Sequence, residues 1–240
     1  MAQIISENQI YSNLLLKQKE LIHFFGTKHT NVDEFVKNSF AETRGNTPVI
    51  MPVQTHGCTI GKVTAQNTQH IFASTDALIS NEPGMCIAVK TADCVPVFLF
   101  DPVKKAVAAI HSGWRSTVQN IVAKTVKQLI AQYQSRPENL LAAIGPCIGQ
   151  KHYEVGGEVL DYFEKEPFCS YNAISYTSCK SGKGRLDLNK TIVRQLLEVG
   201  LKNKNIEMLN VCTYDNESEF YSARRDGATT GRMINGILLK

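Results

Sequence analysis

Short apolar runs rich in β-branched and aromatic residues, each bounded by a turn, dominate this chain and exclude an all-helical fold. They cover 21–26 (LIHFFG), 48–53 (PVIMPV), 59–64 (CTIGKV), 76–80 (DALIS), 85–90, 95–100, 105–110 (KAVAAI), 140–144 (LLAAI), 173–177, 206–212 (IEMLNVC) and 232–239, lengths that suit strands. Helical patterns are fewer and longer. Val118, Ile121, Val122, Thr125, Val126, Leu129 and Ile130 recur at three-and-four spacing and predict one helix over 116–134, ended by the Ser-Arg-Pro of 135–137. A second helix is predicted over 189–199, closed by Gly200, and weaker patterns cover 32–42 and 156–165. Strand runs outnumber helices about two to one and many are consecutive, which predicts α+β architecture with mixed sheets instead of a regular βαβ alternation.

With 43% apolar residues in 240, the chain can bury a core without disulfide staples. No linker, repeat or low-complexity block interrupts it, so one domain over 1–240 is expected. The cysteines, at 58, 86, 94, 147, 169, 179 and 212, are odd in number and form no C-x-x-C pair, a usage that fits free thiols in a reducing compartment. The first residues, MAQIISENQIYSNLLLKQKELIHFF, lack the basic and then apolar order of a signal peptide, and no stretch reaches the roughly 20 apolar residues of a membrane span. A cytoplasmic protein with no membrane partner is expected. The net charge of +4 is scattered apart from SARRDG, which argues against nucleic acid as a partner and leaves basic residues for a small anion.

Three segments share one design, a strand-like run that delivers a metal-capable or nucleophilic residue to a Gly or Pro break. VIMPVQTHGC delivers His56, AVKTADCVP delivers Asp93 and Cys94, and KAVAAIHSGW delivers His111. Strand ends are where a rigid sheet presents side chains to a cleft. His56, Cys94 and His111 are a chemically reasonable three-ligand set for zinc or another borderline metal, with a fourth position for water or substrate. Taken singly, each also fits an ordinary core or turn position, and their wide spacing matches no local zinc motif. Asp93 lies inside an apolar run and needs a partner, because desolvating an unpaired carboxylate costs several kcal/mol. The candidates are the second ring nitrogen of a metal-bound His, an Arg, a substrate group, or the backbone N–H groups of a capped turn.

Other segments supply basic groups. HSGWRST places Arg115 where the predicted 116–134 helix begins, an anion-binding position unless Arg115 is simply solvated. FYSARRDGATTGRM gathers Arg224, Arg225 and Arg232 in a polar loop, the kind of guanidinium cluster that recognises phosphate. Cys147, in IGPCIGQKHYEVG, is expected to be a turn residue more than a cleft thiol.

QTHG, TADCVPV, HSGWRST, IGPCIG with YEVGGEV, and FYSARRDGATTGRM stand in the order and spacing of the bacterial laccase-domain proteins, over about residues 48 to 240. The chain resembles that family, whose members are also called polyphenol oxidases, peptidoglycan editing factors or multifunctional purine nucleoside phosphorylases. The resemblance implies a four-layer α/β/β/α sandwich and a metal site on His56, Cys94 and His111, holding Zn²⁺ or Cu²⁺. It implies phosphorolysis of adenosine, inosine, guanosine and 5′-methylthioadenosine to base and pentose 1-phosphate, and hydrolytic deamination of adenosine. Asp93, Cys94 and Arg115 are then the expected catalytic groups, and Gln54, Lys28 and Arg225 the expected contacts to substrate or phosphate, in a monomer or weak homodimer. Lys28 departs from the family pattern, which places an Arg in a Gly-paired turn there; its ammonium lacks the bidentate fork.

Two other activities carry different expectations. A multicopper laccase needs about ten His, many in His-x-His pairs, whereas this chain has six His and no such pair; only single-site copper with weak phenol oxidation is compatible. A metal-free cysteine hydrolase acting on peptidoglycan precursors would use Cys94 as nucleophile and His111 as base.

Overall fold

The computed structural model describes residues 5–6, 8–34, 47–165, 174–178 and 182–240. In chain order its strands and helices are β1 (Ile5–Ser6), β2 (Gln9–Ile10), α1 (Asn13–Leu16), β3 (Leu21–Gly26), β4 (Val49–Ile50), β5 (Ile60–Lys62), β6 (Ala77–Ser80), β7 (Cys86–Thr91), β8 (Val95–Asp101) and β9 (Ala106–Ser112). They continue as α2 (Trp114–Val118), α3 (Ile121–Tyr133), β10 (Leu141–Ile144), β11 (Glu154–Gly156), α4 (Gly157–Glu164), β12 (Ile174–Ser178), β13 (Lys183–Leu186), α5 (Leu188–Glu198), β14 (Ile206–Met208), α6 (Ala223–Asp226) and β15 (Met233–Leu239).

Two six-stranded sheets carry the fold, one in the order β1-β2-β3-β15-β7-β4 and the other β14-β10-β8-β9-β6-β5, with β11-β13-β12 as a small third sheet. Both large sheets are mixed: β4 runs parallel to β7, β5 to β6 and β14 to β10, and the other pairings are antiparallel. Every residue of β8 and β9 is buried, because both faces of that sheet are covered. Side chains alternate along a strand, so Phe98, Phe100, Val107 and Ala109 enter the core between the two sheets, where they meet Phe25, Ile87, Val89, Met233 and Ile237. Val95, Val97, Leu99, Ala108 and Ile110 face the other way, against Ile121, Val122, Val126 and Leu129 of α3, Ile192 and Leu196 of α5, and Val159, Leu160 and Phe163 of α4. Phe25 and Phe98 stack across the sheets with centroids 4.5 Å apart; burying each such side chain contributes about 1.5–3 kcal/mol.

This is the expected α+β arrangement with mixed sheets. On the outer face of the first sheet, Phe24, Cys86, Ala88 and Leu238 pack with Val32, which lies in a helical turn over 32–34. Most of the helix expected over 32–42 lies outside the described residues. The pattern over 156–165 forms α4 and that over 189–199 forms α5. The helix expected over 116–134 divides instead into α2 and α3, because Asn120 adopts the left-handed conformation with φ +60, which an Asn tolerates better than a branched residue. The apolar spacing continues across the break and conceals it.

The run from Cys86 to Pro102 therefore belongs to two sheets. β7 is in the first and β8 in the second, and Ala92, Asp93 and Cys94 form the crossing between them. Among the described residues no helix is long and apolar enough to cross a membrane.

Candidate metal centre and active-site cleft

The crossing after β7, the loop after β4 and the end of β9 converge. His56 Nε2 or Nδ1, Cys94 Sγ and a ring nitrogen of His111 lie within 4.8 Å of one another, with the two imidazoles edge to face at 4.8 Å. His111 is buried on β9, while His56 is exposed in a left-handed turn with φ +61. Gly113 makes room for the pair: a Cβ there would stand 2.9 Å from His56 Cδ2 and 3.0 Å from Cys94 Sγ.

One carboxylate organises this constellation. Asp76, fully buried just before β6, accepts the backbone N–H groups of His56 (2.9 Å) and Gly57 (2.8 Å) and, more distantly, Thr55 (3.2 Å). His111 Nδ1 lies 2.8 Å from its Oδ1, which leaves Nε2 to face Cys94. Burial works against the Asp76 charge, but the His111 N–H and the backbone donors of Gly57 and Thr55 outweigh it and hold the carboxyl below its usual range. Burial likewise opposes the Cys94 thiolate, yet His111 and then His56 pull its pKa down. His111 is driven up in turn by the Cys94 thiolate and Asp76, against the effect of burial. A thiolate, an imidazole oriented through its far nitrogen by a carboxylate, and a second imidazole are a donor set that suits a borderline divalent metal. The residues present therefore fit a metal ion.

Asp76 was not singled out from the sequence, although the rule applied to Asp93 applied to it equally: a carboxylate heading an apolar strand needs a partner. Asp93 itself turns away from the imidazoles. With φ +81, it accepts Thr213 Oγ1 at 2.6 Å, Ser222 Oγ at 3.0 Å and the Arg224 backbone N–H at 2.7 Å, and its carbonyl accepts Ile148 N–H. Of the partners open to Asp93, the structure supplies a backbone N–H and two hydroxyls, and not the ring nitrogen of a His ligand. Asp76 takes that nitrogen, and Asp93 binds the C-terminal loop to the crossing.

A cleft of about 700 Å³ opens over the metal-capable residues, lined by Gln54, His56, Asp93, Cys94, His111 and Tyr153 and, at its basic edge, by Lys90, Arg224 and Arg232. Gln54 is fixed by a reciprocal pair with the Lys90 backbone, both bonds 2.8 Å. Arg224 donates to the Glu154 carbonyl at 2.6 Å and lies over the Tyr153 ring. Arg232 donates to the carbonyls of Ala228, Thr230 and Gly231. Burial, and after it the Cys94 charge, pushes the Tyr153 phenol far up, so it remains a donor at neutral pH.

One expected catalytic group, Arg115, and two expected substrate contacts, Lys28 and Arg225, lie elsewhere. Arg115 is exposed, with its guanidinium 4.3 Å from the Trp114 ring centroid, and is not among the cleft residues; the five-residue α2 has Gly113 as its N-cap. Lys28 lines a different cavity and donates to the Glu217 carbonyl at 3.0 Å. Arg225 spends its whole fork on the protein. Nε and one Nη2–H go to Asp226, the other Nη2–H to the Phe220 carbonyl, and Nη1 to the carbonyls of Thr213 and Tyr214. All five N–H groups of a guanidinium are then engaged, and none is left for phosphate. Cys147 is buried in a backbone bridge to Cys212, not in a turn, and is not among the cleft residues.

A family model described as multi-copper polyphenol oxidoreductase laccase matches residues 17–240. The chain is 38% identical over 198 residues to a purine nucleoside phosphorylase of Bacteroides thetaiotaomicron, covering 80% of this chain and 73% of that protein. It is 34% identical over 199 residues to adenosine deaminase RL5 from an unknown prokaryotic organism, covering 80% and 75%. The crystal structure of the Bacillus licheniformis hypothetical protein YfiH superimposes with a TM-score of 0.86 at 29% identity, over 98% of this chain and 97% of that one.

Proposed function

Because the chain belongs to the multi-copper polyphenol oxidoreductase laccase family, whose relatives at this similarity are named for nucleoside chemistry, we propose that it is a zinc-dependent purine nucleoside enzyme. It cleaves adenosine, inosine, guanosine and 5′-methylthioadenosine with phosphate, giving the free base and pentose 1-phosphate, and deaminates adenosine with water. The observation that carries this reading is the union, in one cleft, of the His56, Cys94 and His111 donors with a basic edge of Lys90, Arg224 and Arg232.

His56, Cys94 and His111 would hold the metal, and when bound such an ion supplies Lewis acidity at the cleft floor. Asp76 fixes the His111 tautomer, keeping the proton on Nδ1 and the lone pair on Nε2. Arg224 and Arg232 each retain N–H groups beyond those they give to the backbone, and with Lys90 they hold phosphate by charge-assisted bonds. Asp93 positions Arg224 through its backbone N–H. In phosphorolysis a phosphate oxygen bonds to the anomeric carbon as the bond from that carbon to the purine nitrogen breaks; the base leaves with the electron pair and gains a proton. The Tyr153 phenol, kept neutral, is the donor beside the cleft floor. In deamination the oxygen of water bonds to the purine carbon and ammonia departs.

Incubation of the purified protein with adenosine, with and without phosphate, tests the proposal. Adenine and ribose 1-phosphate are expected with phosphate, and inosine without it, both lost on chelation and restored by Zn²⁺. Absence of turnover, or full activity in the chelated protein with alkylation at Cys94 as the inactivating event, would overturn it.

A further inference from the structure

We propose that His152, Cys212 and Asp215 form a second metal site, structural in role and selective for a divalent ion of the zinc class. Their ligand atoms lie within 4.8 Å of one another. His152 Nε2 is shielded from solvent and no hydrogen bond satisfies it, although Asp215 Oδ1 stands 2.6 Å away. The nitrogen thus meets the carboxylate at contact distance without hydrogen-bond geometry, and an ion held jointly by the two would satisfy both. The imidazole is held in place by stacking on Tyr214 with centroids 4.2 Å apart and planes 11° apart. Cys212 Sγ accepts the Gly149 N–H at 3.2 Å, which fixes where the sulfur points, and its backbone is anchored by the bridge to Cys147. The exposed Asp215 leaves one side open for entry and for a water ligand.

One nitrogen, one sulfur and one oxygen suit zinc-class ions; magnesium and calcium prefer all-oxygen sets. Sixty residues separate His152 from Cys212 in sequence, so no local motif announces the site. The ion would clamp the turn before Tyr153 to the segment from Cys212 to Asp215. Thr213 in that segment donates to Asp93, and the carbonyls of Thr213 and Tyr214 accept Arg225. Occupancy therefore stiffens one wall of the cleft without touching substrate.

Cobalt titration of the stripped full-length protein separates this site from the first. Cys94→Ser removes the thiolate of the first site, so a thiolate-to-cobalt charge-transfer band that remains must come from another cysteine. The band is expected in Cys94→Ser, absent in Cys94→Ser/Cys212→Ser, and weakened in affinity about 10-fold or more in Cys94→Ser/His152→Gln. Zinc content of the otherwise native protein should fall by about one ion per chain on Cys212→Ser. A Cys94→Ser protein that is folded by circular dichroism but shows no band, or a band that survives loss of Cys212 or is indifferent to His152→Gln, would overturn the proposal. None of these readouts depends on nucleoside turnover.

Discussion

Replacing Asp76 by Asn tests the claim that one buried carboxylate builds the metal centre. The two oxygens divide the work: Oδ1 serves the His56 N–H and His111 Nδ1, and Oδ2 serves the Gly57 N–H and, more distantly, the Thr55 N–H. An Asn amide keeps one acceptor and turns the other into a donor: at the Oδ2 position it opposes the Gly57 and Thr55 N–H groups, and at Oδ1 it opposes the His56 N–H and forces a change of His111 tautomer. Hydrogen bonds to a charged group contribute about 1.5–3 kcal/mol each, and the remaining donors stay buried. Asp76→Asn should therefore cost about 3–5 kcal/mol in urea unfolding of the chelated protein. If the amide nitrogen occupies the Oδ1 position, His111 must accept at Nδ1 and carry its proton on Nε2, the atom needed for the metal. Zinc affinity measured by chelator competition should then fall about 10- to 100-fold. A variant with wild-type zinc affinity and unfolding within about 1 kcal/mol of wild type would refute the reasoning. Asp93→Asn is the contrast: it should loosen the C-terminal loop and leave zinc affinity much less affected.

Gly113→Ala keeps a tolerated φ of −77 but drives a methyl group into His56 and Cys94; turnover should fall about 100-fold with a small change in melting temperature, checked by calorimetry and initial rates. Arg224→Ala and Arg232→Ala should each raise the KM for phosphate and spare phosphate-independent deamination, whereas Arg115→Ala should change neither; an Arg115 effect confined to phosphorolysis would return that residue to the site. Arg225→Lys, which cannot reproduce five donors, should lower unfolding free energy by about 2 kcal/mol without a selective effect on phosphate KM. His23 is buried with Nε2 accepting the Ser12 N–H, and burial lowers its pKa from 6.5 to about 4. The unfolded chain thus binds the extra proton first, so this contribution is complete above about pH 6.5 and lost as pH falls toward 4, by up to about 3 kcal/mol. His23→Gln should flatten that part of the stability profile.

The pattern of residues by itself determined the strand-rich α+β class, because alternation and run length report burial directly: the runs at 95–100 and 105–110 became β8 and β9 with their two faces in two cores. It also marked His56, Cys94 and His111, since each ends a strand-like run at a Gly or Pro break. It concealed the helix break at Asn120, where apolar spacing continues through a backbone conformation that spacing does not encode. Only the tertiary structure decided which charged groups serve the cleft. Arg224 and Arg225 are neighbours in sequence, yet one faces the cleft and the other ties three carbonyls and Asp226. Asp76 and Asp93 pose the same problem in sequence, a carboxylate in an apolar run. Which one holds the imidazole depends on what the folded chain brings within hydrogen-bonding distance: β9 carries His111 to Asp76, and the C-terminal loop carries Thr213, Ser222 and Arg224 to Asp93. Burial demands that every such charge find a partner, and long-range topology chooses which.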